Sequence, residues 1–152
     1  MSSKDFRSAL EAAVAAQLEH HGIEYGYEQE TFEYKKRTPR GLCELCGGTK
    51  TFQRKRYLGD FSVSPRTIIE VKGYFTAADR AKMLAVRENN PDIRILFLFG
   101  ADNKLRKSHD KRYSDWCTEH KFEYAIRTIP KHWIRRFKKA QGSDKADGGS
   151  QA

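Results

Sequence analysis

This chain is poor in cysteine. It has three, an odd number, with Cys43 and Cys46 close together and Cys117 far away. That usage supplies no disulfide framework and fits a reducing compartment. Long apolar runs are missing as well: no stretch is long or apolar enough to span a bilayer, and the first residues lack the apolar core of a secretory signal. The expectation is a cytoplasmic protein with no membrane partner. No internal repeat occurs. Acidic residues are the scarcer sign of charge, 20 Asp and Glu against 29 Lys and Arg, for a formal net charge of +9. Such a balance favours polyanionic partners, nucleic acid foremost.

The basic residues cluster at Lys35, Lys36, Arg37 and Arg40, at Arg54, Lys55 and Arg56, at Lys104 to Arg112, and at Arg135 to Lys139. Each one that meets a phosphate releases counterions, although a charge run is by default only a solvated face. The 152 residues suit one domain with a single core. Phe6, Leu10, Val14 and Leu18 recur every four positions before Gly22, which predicts an amphipathic helix over 6–21. Glu11 falls at the edge of its apolar stripe, where an ordinary boundary glutamate is the default. A strand is predicted from Ile23 to about Tyr34, and another from Thr51 to Val63 with Asp60 near its end. Thr76 and Asp79 form a capping-box pattern before a helix over 77–89, and Ile93 to Phe99 reads as a strand covered on both faces. A parallel crossover between strands follows from that order. A helix over 111–120, a strand over 122–126 and a short helix around Trp133 complete the domain at about residue 139. From Ala140 to Ala152 the composition predicts a disordered tail.

The chemistry concentrates between Gly59 and Gly73. Strand alternation puts Ile68, Glu70 and Lys72 on one face, and Phe61 and Val63 supply a matching upstream alternation. A turn at Ser64, Pro65 and Arg66 sets Asp60 opposite Glu70, where paired Cβ atoms lie about 4.5–5.5 Å apart. Two carboxylates there repel unless a cation binds between them. A hard divalent ion such as Mg²⁺ relieves that repulsion, with Lys72 beside it to orient or deprotonate a water. A lone Glu and Lys two apart is common on solvated strands, so the opposed Asp60 is what sharpens the reading.

These residues resemble the endonuclease I family of short-tailed bacteriophages, which resolves four-way DNA junctions. The resemblance rests on Phe6 to Glu11 with Leu18, Gly22 and Ile23, on Asp60-Phe61, on Glu70 to Gly73, on Asp79-Arg80 and Arg87-Glu88, and on Pro91 to Phe97. It implies an α/β (mixed α+β) fold with a restriction-endonuclease-like nuclease core, a mixed sheet flanked by helices, in an intertwined, domain-swapped homodimer. It further implies that Asp60, Glu70 and the backbone carbonyl of Val71 bind Mg²⁺, with Mn²⁺ able to substitute. Lys72 acts on the attacking water, and Glu11 assists a second metal ion, reaching from the partner chain. Branched DNA is then the substrate, the host cytoplasm the location, and no small-molecule cofactor is needed.

Two departures from the family pattern stand out. Gly59 replaces the usual proline before the aspartate, which changes backbone stiffness more than chemistry. A basic insertion over 35–56 carries Cys43 and Cys46 in a Cys-x-x-Cys-Gly-Gly run. That is half of a four-ligand Zn²⁺ site. A dimer would supply the pair twice, and His109, Cys117 or His120 are weaker completions within one chain. The rival functions are a non-catalytic nucleic-acid-binding module and a less selective DNA-nicking nuclease.

Overall fold

The computed structural model describes residues 5–37 and 52–148. Helix α1 spans Ala9–His20 because Ser8 stops the chain short of helical geometry and accepts the Glu11 amide at 3.1 Å, satisfying one of the orphan donors of the first turn. At its other end Gly22 takes φ +69, which a side chain would resist. Helix α2, Ala77–Asn89, starts at a complete capping box: the Asp79 amide donates to Thr76 Oγ1 and the Thr76 amide to Asp79 Oδ2, both at 3.1 Å. Helices α3, Tyr113–Glu119, and α4, Lys131–Gly148, follow. No helix among the described residues is long and apolar enough to cross a membrane.

Five strands, β1 (Gly26–Tyr27), β4 (Phe61–Ser64), β5 (Thr67–Lys72), β6 (Arg94–Phe99) and β7 (Glu123–Ile126), form the main sheet in the order β1-β4-β5-β6-β7. The β1-β4 and β4-β5 pairs are antiparallel, while β5-β6 and β6-β7 are parallel. The mixed α/β fold is therefore the predicted one. Alternation along β4, β5 and β6 sends Phe61, Val63, Ile69, Val71, Leu96 and Leu98 to one side, where α1 and α4 cover them. It sends Ile95, Phe97 and Phe99 to the other, into an aromatic cluster with Phe75, Trp116 and Phe122 under α2 and α3. Both faces of β6 are dry, which explains its unbroken apolar run.

The remaining strands, β2 (Thr31–Arg37) and β3 (Phe52–Leu58), pair antiparallel as a separate ribbon. Here the structure corrects the sequence reading. The single strand predicted over 23–34 is interrupted at Glu28, whose φ of 48 turns the chain, and the one predicted over 51–63 is interrupted at Gly59 and Asp60. Two backbone bonds stitch the interruptions together, Glu28 N–H to the Asp60 carbonyl at 2.9 Å and Gly59 N–H to the Glu30 carbonyl at 3.1 Å. Both segments thus leave the main sheet at one corner. A second correction concerns the C-terminal part: α4 runs past Ala140 to Gly148 instead of ending near Lys139. Gln141 anchors that extension, donating to the carbonyls of Glu24 (2.7 Å) and Val63 (2.9 Å) and accepting the Glu24 amide. Composition alone misses this because one polar anchor outweighs several poor core formers.

Candidate active site

The corner between ribbon and sheet is where the charged side chains meet. The antiparallel register pairs Phe61 with Ile69 and Ser62 with Ile68, and shifts only between Ser62 and Ser64, beside the turn at Pro65 and Arg66. Extending that register by one residue sets Asp60 across from Glu70, as the turn geometry predicts. Asp60 is beyond the last pair of the ladder, so its side chain substitutes for the missing backbone and accepts the Val71 amide at 2.8 Å. Lys72, on the same face of β5 as Glu70, brings Nζ to 3.4 Å from Glu70 Oε1 and 3.7 Å from Asp79 Oδ1.

Burial decides the electrostatics. Glu70 is 4% exposed, and desolvation lifts its pKa above the ordinary carboxylate value although Lys72 and the Tyr57 hydroxyl both oppose the rise. Asp60 is pushed up to about 7, by burial first and by the Glu70 charge second, with the Val71 amide pulling the other way. Burial alone would lower the Lys72 ammonium, but Glu70, Asp79 and Asp60 together reverse the effect and its pKa is raised. Lys72 thus faces three carboxylates, with the charge of Lys82 adding a weaker pull on Glu70. A group of hard oxygen donors short of positive charge fits a divalent cation such as Mg²⁺ or Mn²⁺.

Glu11 reaches the same region from α1 and is 8% exposed. Its Oε2 accepts from the Tyr27 hydroxyl at 2.7 Å and the Arg7 amide at 3.0 Å, and its charge contributes to the raised pKa of Asp60. The structure therefore brings Asp60, Glu70 and Lys72 together and sets Glu11 beside them within one chain. Among the described residues no three His, Cys, Asp or Glu side chains gather tightly enough to form a metal cluster unaided. Cys117 is fully buried in the aromatic cluster, where it serves as core. Cys43 and Cys46 lie outside the described residues.

Three participants were missed from sequence. Tyr57, 1% exposed, donates its hydroxyl to Glu70 Oε2. Asp79, read as a helix cap, also faces Lys72. Tyr27 holds Glu11. Only Asp79 gave a signal in the sequence, through the capping pattern and the Asp79-Arg80 segment of the family resemblance, and neither hinted at its contact with Lys72.

Comparison with known proteins follows the same lines. The family model described as Phage endonuclease I matches residues 1–151. The chain is 31% identical over 135 residues to Endonuclease I of Escherichia phage T7, covering 88% of this chain and 81% of that protein. It is 32% identical over 141 residues to Endodeoxyribonuclease 1 of Enterobacteria phage T3, covering 92% and 84%.

Proposed function

The chain belongs to the phage endonuclease I family, and from that premise we propose that it is a divalent-metal-dependent DNA endonuclease that cuts four-way and other branched junctions as a homodimer. The observation that carries the proposal is the convergence of Asp60, Glu70 and Lys72 at the corner of the sheet, with both acids held above their ordinary pKa. Ligands at the carboxyl ends of parallel strands are the rule for such sheets, and Lys72 ends β5.

Asp60 and Glu70 are the side chains that would hold a first ion. The Val71 carbonyl is a fitting third ligand: Lys72 gives its carbonyl to Gly100 on the β6 side at 3.1 Å, so Val71, alternating with it, directs its peptide groups toward Asp60. Glu11 is placed to help with a second ion. When bound, such ions supply Lewis acidity toward a phosphodiester and toward water. Lys72, held protonated by three acids, is suited to orient a water and to neutralise a phosphate oxygen. Tyr57 keeps Glu70 aimed at the site, since its hydroxyl satisfies the oxygen that faces away from Lys72. In an exchanged dimer the contact of α1 with the sheet would form between chains, so that Glu11 of one serves Asp60, Glu70 and Lys72 of the other.

The direct test is cleavage of a labelled immobile four-way junction and its matched linear duplex with Mg²⁺, Ca²⁺ or EDTA. Cutting of the junction in Mg²⁺ alone is expected. Tight binding without cutting in Mg²⁺ or Mn²⁺ would leave a binding module instead. For composite sites, co-expressed Glu11→Ala and Lys72→Ala chains should nick where each variant alone is inactive; no recovery in the mixed dimer would reject exchange.

A further inference from the structure

The β2-β3 ribbon carries a surface that the catalytic chemistry does not use. Its register pairs Glu33 with Arg56 and Lys35 with Arg54, and alternation puts these four on one face while Phe32, Tyr34 and Tyr57 take the other. The tyrosine face is covered: Tyr34 and Tyr57 are buried with Met83 and Val86 of α2. The opposite face is open, with Glu33, Lys35, Arg54 and Arg56 all exposed. Lys35 and Arg54 are direct cross-strand partners, and like charges so placed destabilise a strand pair. Among the described residues no carboxylate makes an ion pair with Lys35, Arg54 or Arg56. Glu33 opposite Arg56 offsets part of this charge, but three cations against one acid leave the open face with an excess of positive charge, which fits a polyanion as counter-charge.

The position of the ribbon says which polyanion. Leu58, the last residue of β3, lies two residues before Asp60, and Tyr57 beside it donates to Glu70. The open face therefore starts at the catalytic corner and leads away from it. Seven residues at about 3.4 Å each reach roughly 24 Å, the length of about seven base pairs. We propose that this face grips the phosphate backbone of a double-stranded DNA arm flanking the cleavage point, through Lys35, Arg54 and Arg56. The inference rests on the nuclease reading and adds the element that holds the substrate outside the reacting centre.

The test is binding of the full chain to labelled duplex, four-way junction and single strand in EDTA, across a salt series, followed by anisotropy. In the double variant Lys35→Gln/Arg54→Gln, two lost phosphate contacts should make the slope of log Kd against log salt shallower by about 1.8 on duplex. Glu33→Gln, which removes the one acid on that face, should tighten binding, an opposite sign that misfolding cannot produce. An unchanged salt slope in a double variant that melts like the wild type overturns the proposal. So does an equal loss on single-stranded DNA, or Glu33→Gln binding no tighter. Cleavage of the same DNA by the wild type in Mg²⁺ is scored separately: its absence would sink the nuclease reading, whereas the salt slopes judge the ribbon alone.

Discussion

Glu70 and Glu123 are both strand carboxylates beside a cation, and the protein treats them in opposite ways. Arg136 grips Glu123 with two bonds of 2.8 and 2.9 Å, and these hydrogen bonds, which outweigh the opposing effect of burial, hold its carboxyl below the ordinary value. Glu70 has an ammonium at 3.4 Å and a phenol on its other oxygen, yet its pKa is raised. Burial makes the first difference, since Glu70 is almost wholly desolvated while Glu123 is partly exposed; beyond that, a planar guanidinium meets a carboxylate oxygen for oxygen, whereas the point charge of Lys72 is divided among Glu70, Asp79 and Asp60. The pair on β7 is matched and closes a surface. The pair on β5 is left short of positive charge, the condition under which a cation binds.

Replacing the under-compensated acid should matter most. Glu70→Gln keeps the shape and a partner for Tyr57 but removes the charge, so cleavage should fall by about 10³-fold or more while the melting temperature near neutral pH holds or rises. A variant that cuts at the wild-type rate would dissolve the contrast. Next in size is a pH effect on the metal-free protein. The folded pKa of Asp60, about 7 against an ordinary 3.8, means that the native state keeps a proton that the unfolded chain has lost. Stability in EDTA should therefore decline as pH rises from about 4 to 7, by on the order of 4 kcal/mol for this group. Thermal melts at the two ends, with Asp60→Asn as the variant that flattens the slope, measure it; a stability that climbs through this window contradicts the assignment. Tyr57→Phe should cost about tenfold in cleavage, the worth of one hydrogen bond that orients Glu70, with little change in DNA affinity. The smallest effect is expected at the matched pair: Glu123→Gln should lower stability by less than about 1 kcal/mol, since Glu123 is partly exposed, and leave cleavage within about twofold.

The helices and the β5-β6 core were legible because their signals are local: the fourfold spacing of α1, the Thr76 and Asp79 box, the unbroken run of β6. Asp60, Glu70 and Lys72 were legible for the same reason, since a turn at Pro65 fixes a hairpin register within a dozen residues. What escaped depends on contacts between distant segments. The exits of β2 and β3 from the main sheet are set by Glu28 and Gly59 bonding to residues some thirty positions away, and neither strand announces it. Tyr57 became part of the site only through that exit. Gln141 likewise looks like the start of a solvated tail until Glu24 and Val63 are brought beneath it.

Gly59 carries a consequence for how this chain can change over time. A Cβ built there would stand 2.9 Å from Cγ2 of Ile68, a branched, fully buried side chain with nowhere to retreat, and the Gly59 amide is committed to the Glu30 carbonyl. A proline at position 59 would forfeit that amide bond and collide with Ile68 at once. The glycine and the isoleucine thus constrain one another, and a larger residue at position 59 would require a change at position 68, within the hairpin that carries Asp60 and Glu70.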